Sequence, residues 1–196
     1  MNFFKKQWEA FKAKSWWGKT TDILFIVFLV MMLTKDGRIL FQRAILATGI
    51  FGSVSVNEDA PISEENWNWK LYDLEGEEHR LAEFRGKPIF LNFWATWCPP
   101  CNAEMPYVQE MIDESDGDVV FIVATSEEFE KVKSFLAEKE WDLPVYVLGS
   151  YPVAELQYRS LPTSVVIDAN GRMVHRSEGM RKWSWDGLQE ILNSGS

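Results

Sequence analysis

Cysteine is scarce in this chain: two occur in 196 residues, at positions 98 and 101. A disulfide staple stabilises in proportion to the loop it closes, and a bridge across two residues constrains almost nothing in the unfolded chain. The pair is therefore a poor staple and reads as redox chemistry or metal binding. Histidine is equally rare, at His79 and His175 only. A zinc site on the cysteines would need two further ligands, and these two histidines fall in separate regions of the chain. No Gly-rich phosphate loop, Ser/His/Asp set or cofactor motif appears, so no cofactor or metal is expected. No internal repeat is visible, and the longest apolar run, residues 23–33, is only eleven residues.

What is present is unevenly distributed. The net charge is −9, yet residues 1–57 hold eight Lys/Arg against three Asp/Glu, and residues 58–196 hold twelve against twenty-six. An acidic domain repels nucleic-acid phosphates, which removes nucleic acid as a partner. The ordinary role of such a surface is to keep the domain soluble.

The basic start, residues 1–20, carries Lys5, Lys6, Lys12, Lys14 and Lys19 among Trp8, Trp16 and Trp17. The apolar run that follows spans ~16 Å as a helix, short of a ~30 Å hydrocarbon core. Counted from Trp16 it reaches eighteen residues, with Lys19 and Asp22 at one interface, where Lys snorkels and Trp is favoured. We read a single membrane anchor at 21–34. A signal peptide is the alternative, but no small-x-small cleavage site follows Leu33. A helical hairpin would need a second span containing Arg43. Lysine bias before the run places the N-terminus in the cytoplasm and everything after it outside. Residues 35–65 read as a surface or linker helix (38–48) and a Gly/Ser/Pro-containing tether (49–65).

From about residue 66 the pattern is α/β. Segments 67–74 and 79–84 flank a turn at Glu75-Gly76 and predict a hairpin. Runs 88–95, 119–125 and 145–148 predict buried strands, and 164–168 with 173–176 a hairpin about Ala169-Asn170-Gly171. Helices are predicted near 99–115, 127–140, 151–158 and 184–193. The sum is a central mixed sheet covered by helices, spanning 66–196.

The chemistry centres on Phe93-Trp94-Ala95-Thr96-Trp97-Cys98-Pro99-Pro100-Cys101-Asn102-Ala103-Glu104-Met105-Pro106. This segment joins a buried strand to a helix with Cys98 at the N-cap. Pro99 and Pro100 occupy the first turn, where their missing N–H groups cost nothing. Free amides and the helix dipole favour a thiolate there, and Cys101 lies one turn on, within reach of Cys98. Without further information Trp94 reads as a core aromatic, Glu104 as an exposed helix carboxylate, and Pro106 as a helix kink.

The ordered set resembles the thioredoxin superfamily, and within it the membrane-anchored TlpA/ResA-like thiol–disulfide oxidoreductases. The active-site run matches residue for residue, and Glu104-Met105-Pro106 matches the Glu-x-Pro that follows in this group. Leu161-Pro162-Thr163 resembles the cis-proline loop, and Val166-Ile167-Asp168-Ala169-Asn170-Gly171 the terminal strand and turn. The likeness covers about residues 62–193. It implies a thioredoxin-like α/β fold, with Cys98 as attacking thiolate, Cys101 as resolving thiol and Glu104 as the acid that tunes or relays protons. It also implies that Pro162 is cis and that Trp97, Pro99, Pro100, Leu161, Pro162 and Thr163 contact substrate. Asn92 replaces the buried Asp of general thioredoxins, which leaves Glu104 as the expected nearby acid. The implied activity is dithiol–disulfide exchange with protein thiols and disulfides outside the cytoplasm, usually reduction, often for cytochrome c maturation. An upstream membrane electron donor is implied, because the chain has no second cysteine pair. Oxidase or isomerase activity is the alternative reaction, and a membrane-held binding module using the Trp97 and Pro162 surface is the non-catalytic one. Nothing resembles a peroxidatic Thr-x-x-Cys arrangement.

Overall fold

The computed structural model describes residues 20, 22–26, 29, 33–34, 54–56 and 59–194. The chain divides into two compact units, 1–48 and 49–196. In the first unit residues 20, 22–26, 29 and 33 are helical, and Ile23, Leu24, Phe25, Ile26, Leu29 and Leu33 are exposed. Among the described residues no helix is long and apolar enough to cross a membrane. Part of the anchor read at 21–34 and all of the surface helix read at 38–48 lie outside the described residues.

The second unit is built on one mixed sheet of nine strands among the described residues. In chain order these are β1 (Val54–Val56), β2 (Ala60–Pro61), β3 (Lys70–Tyr72), β4 (Glu78–Arg80), β5 (Ile89–Phe93), β6 (Val120–Thr125), β7 (Val145–Leu148), β8 (Thr163–Ile167) and β9 (Arg172–Glu178). The spatial order is β1-β9-β8-β5-β6-β7-β3-β4, with β2 also on β9. The helices are α1 (Glu64–Trp67), α2 (Pro99–Glu114), α3 (Phe129–Lys139) and α4 (Trp185–Ser194).

β5 is central, parallel to β6 and antiparallel to β8. All five of its residues are buried, which is why, Asn92 apart, it reads as an apolar run rather than an alternating one. Its period of two still sorts side chains between the faces. Phe90 joins the cluster of Met105, Val108 and Met111 from α2, Val132 and Leu136 from α3 and Leu188 from α4. Ile89, Leu91 and Phe93 join Trp67, Trp69, Leu81 and Leu156 on the other side. Fully burying an aliphatic side chain contributes roughly 1.5–3 kcal/mol, so α2 is docked chiefly by its three inward residues.

The terminal hairpin β8–β9 turns at Ala169-Asn170-Gly171, as the sequence predicts. Gly171 has φ 77°, and a Cβ there would lie 2.9 Å from the Trp67 ring, so the turn and the packing both need glycine. Two expectations are corrected. The segment read as tether supplies strands β1 and β2 on β9, and α1 begins at Glu64 with Ser63 accepting from the Asn66 amide. The helix read near 151–158 is only a 3-10 turn, Ala154–Leu156. Its neighbourhood is held by side chains instead: Asn66 Nδ2 donates to Val153 O at 2.7 Å, and Val153 N donates to Asn66 Oδ1 at 3.0 Å.

Candidate active site

β5 ends at Phe93 and α2 begins at Pro99, so the five intervening residues sit where a strand hands the chain to a helix N-terminus. Cys98 is the N-cap, in extended backbone (φ −89°, ψ 105°). An N-cap side chain takes its hydrogen bond from the amide two or three residues on. Two residues on is Pro100, which has none. The Cys101 amide is therefore left to donate, to Cys98 Sγ at 3.2 Å, while the Asn102 amide closes the first turn on Cys98 O. Cys98 and Cys101 are joined in a disulfide, with Cα atoms 5.3 Å apart.

The two sulfurs differ in access. Cys98 is 3% exposed and borders a groove of about 430 Å³, whereas Cys101 is fully buried beneath it. Trp97, Pro99, Pro100 and Leu161 also border the groove. Trp97 is 67% exposed, while Trp94 lies in the core. The Leu161–Pro162 peptide bond is cis, the geometry the resemblance implies. Pro162 and Thr163 are buried; the Pro162 carbonyl accepts from the Gly179 amide, and the Thr163 hydroxyl donates to Ser160 O. Of the three loop residues, Leu161 is thus the one that lines the groove.

Glu104 stands three residues after Cys101, on the same face of α2, and the expectation of an exposed carboxylate is overturned: it is fully buried. Its Oε1 accepts from Trp183 Nε1 at 2.9 Å and from the Arg181 amide at 3.1 Å; its Oε2 accepts from Asn92 Nδ2 at 3.1 Å. Burial pushes the carboxyl up to about 7, against the pull of the Arg181 amide, Asn92, Trp183 and the Arg181 charge. A carboxyl near neutrality can both take and return a proton. Asn92 also donates to Ser164 Oγ, its register partner on β8.

Several participants escape the sequence reading. Glu127 adds a second acid: it accepts from the Thr96 amide at 2.5 Å and the Thr96 hydroxyl at 2.9 Å, and pairs with Lys131. Burial opposes its ionisation, but the bonds from Lys131 and Thr96 hold its carboxyl below the usual range. Its position just past the C-terminal end of β6 was the available signal, since sites gather at that edge of parallel strands. Tyr151, Tyr158 and Arg159 form the far wall of the groove, and Tyr158 stacks between Tyr151 (5.2 Å) and Phe93 (4.2 Å). Trp183 and Arg181 lie far along the chain, with no local pattern to mark them. The histidines are engaged elsewhere. His79 pairs with Asp73 and Glu83, and His175 takes the Arg181 guanidinium at 2.8 Å.

A sheet of this order, a cysteine pair at the α2 N-terminus and a cis-proline loop beside it define a thioredoxin-fold thiol–disulfide oxidoreductase. The Redoxin family model matches residues 55–191, and the chain belongs to that family. Its relatives include thiol-disulfide oxidoreductase ResA of Bacillus cereus (strain ATCC 10987 / NRS 248), 33% identical over 165 residues, covering 82% of this chain and 90% of that protein. ResA of Geobacillus thermodenitrificans (strain NG80-2) is 38% identical over 129 residues, covering 62% and 68%. Among solved structures, a secreted Mycobacterium tuberculosis disulfide oxidoreductase homologous to E. coli DsbE superposes with a TM-score of 0.56 at 22% identity, over 67% of this chain and 99% of that one. The protein is a ResA-like member of the thioredoxin superfamily.

Proposed function

We propose that this oxidoreductase reduces protein disulfides outside the cytoplasm, with the oxidised cysteine pair of apocytochrome c among its substrates. One observation carries the direction: a single amide, that of Cys101, reaches Cys98 Sγ. Strong oxidants of this fold owe their potential to a well-stabilised thiolate in the reduced form. Here the two prolines withhold the other donors of the first turn, so the reduced form is stabilised less and gives up its electrons more readily.

The exchange runs in two displacements. Cys98 thiolate at the groove attacks one substrate sulfur, forming a mixed disulfide and releasing the other as a thiolate. Cys101 then loses its proton to Glu104 and attacks Cys98 Sγ. The second substrate thiolate leaves, and the Cys98–Cys101 disulfide remains. Two electrons pass to the substrate, whose thiolates take up two protons. The ResA names of the relatives and the groove access of Cys98 alone support this division of roles. Trp97, Pro99, Pro100 and Leu161 border the substrate's approach, and Pro162 with Thr163 shapes the loop behind it. With two cysteines in the chain, the pair is re-reduced by another protein's dithiol, an upstream membrane donor.

Anchoring belongs to the same proposal. Residues 1–20 remain cytoplasmic, 21–34 enter the membrane, and 35–48 lead to the catalytic unit. The lysine bias and the exposed side chains of Ile23, Leu24, Phe25, Ile26, Leu29 and Leu33 support it. A cytoplasm-active reporter fused at the C-terminus should be silent; activity there overturns the outward orientation.

The test of function is trapping. Cys101→Ala, mixed with a disulfide-bonded C-x-x-C-H peptide of the haem-attachment type, should accumulate a mixed disulfide at Cys98, and Cys98→Ala should accumulate none. The opposite pattern reverses the roles, and no adduct with either variant removes the substrate class.

A further inference from the structure

Glu104 is fully buried three residues after Cys101 on α2, yet two of its three bonds come from neither α2 nor the strands beneath it. Both Oε1 donors belong to residues 181–183, between β9 and α4: the Arg181 amide at 3.1 Å and the Trp183 indole at 2.9 Å. An indole N–H donates and never accepts, so on that oxygen it favours the carboxylate over the acid. Trp183 is well placed to hold this direction. It is 3% exposed, meets Phe90 of β5 edge-on at 4.8 Å, and carries the Arg181 guanidinium over its ring at 4.4 Å. Arg181 in turn donates to His175 of β9 at 2.8 Å.

Resting on the proton-relay reading of Glu104, we propose that Trp183 is a positioning residue for thiol–disulfide exchange. Its indole N–H fixes Glu104 Oε1 and so sets the pH range in which that carboxylate can accept the proton of Cys101. The groups that act on Glu104 are the neutral Asn92 from β5, with Ser164 of β8 behind it, and the Arg181 amide and charge and the Trp183 indole from the segment after β9; Cys101 lies three residues before it on α2. His175 is one contact removed, through Arg181. Trp183 and Asn92 are the two neutral side-chain donors to Glu104, and Trp183 is the one on Oε1, so Trp183→Phe deletes that donor without altering a charge.

The pH profile of exchange with the disulfide-bonded C-x-x-C-H peptide tests this in wild type, Trp183→Phe, Glu104→Gln and the double variant. Loss of one bond to a charged acceptor should move the Glu104 limb of the profile up by about one pH unit in Trp183→Phe. The double variant should match Glu104→Gln, because Trp183 acts through Glu104. A Trp183→Phe profile that overlays wild type, or that shifts equally in the Glu104→Gln background, overturns the assignment of Trp183 and leaves that of Glu104 standing. A Glu104→Gln profile that overlays wild type overturns both. Should Trp183→Phe not fold, the Trp183 indole ¹H–¹⁵N resonance of the wild-type protein decides. It should titrate with the midpoint of the Glu104 carboxyl ¹³C resonance, and a resonance constant across that range overturns the proposal.

Discussion

At residue scale the buried carboxyl of Glu104 has a cost that pH reveals. Its proton is held more tightly in the folded chain, at about 7, than in the unfolded chain, near 4.5. Between those values the folded state carries the extra proton. The stability this group contributes is therefore fully present below pH 4.5 and is lost as pH rises through about 7. The shift corresponds to roughly 3 kcal/mol. The denaturant midpoint of the oxidised protein should fall across this range and the fall should vanish in Glu104→Gln. His175 works in the other direction. Burial first, and then the Arg181 charge, lower its folded value below 6.5, so its contribution is present above 6.5 and is lost as pH falls. The histidine slope should survive in Glu104→Gln, which separates the two. Cys98 and Cys101 were legible in the sequence because one short segment holds both at helical spacing; Glu104 was marked only by the resemblance, since its spacing alone reads as an exposed carboxylate. Trp183 and Arg181 were not, since their meeting with Glu104 depends on how the chain returns after β9.

Elements translate those residues into chemistry. The N-terminus of α2 has one usable amide because positions 99 and 100 are proline, so replacing Pro100 restores the donor that an N-cap acceptor expects. Pro100→Ser should lower the Cys98 pKa and raise the reduction potential by about 30 mV, the equivalent of ~1.4 kcal/mol for a two-electron couple. Equilibration with a glutathione buffer measures it. The groove wall between β7 and β8 has little regular structure, and Asn66 holds it through Val153 N, Val153 O and Glu155 Oε1. Asn66→Ala leaves the Val153 amide unpaired, while Val153 O keeps the Leu156 amide and Glu155 Oε1 keeps the Ser63 amide; it should cost about 2 kcal/mol, with faster amide exchange at Val153. Periodicity predicted the strands of the core and helices α2, α3 and α4, where burial is strong. It failed for 151–158, where side-chain bonds to a distant asparagine replace a helix, and for β1 and β2. Those short strands take their pairing from β9 rather than from any pattern of their own.

On the scale of the whole molecule, charge divides the chain as the sequence does. Residues 58–196 carry an excess of fourteen acidic groups, and the segment before them is basic. A field of this sign steers cationic partners and is screened within about 8 Å at physiological salt. Exchange with a lysine-rich disulfide peptide should slow as salt is raised, while exchange with an acidic one should quicken; stopped-flow rates at two ionic strengths check this. The fold supplies the rest of the account: a rigid strand ends, a helix begins, and one sulfur of the pair faces the groove with a single amide behind it. The reduction potential of the Cys98–Cys101 couple tests that arrangement most directly. A value near the thioredoxin potential of about −270 mV, or lower, is what a sparsely stabilised thiolate gives, whereas a value near about −120 mV would contradict it.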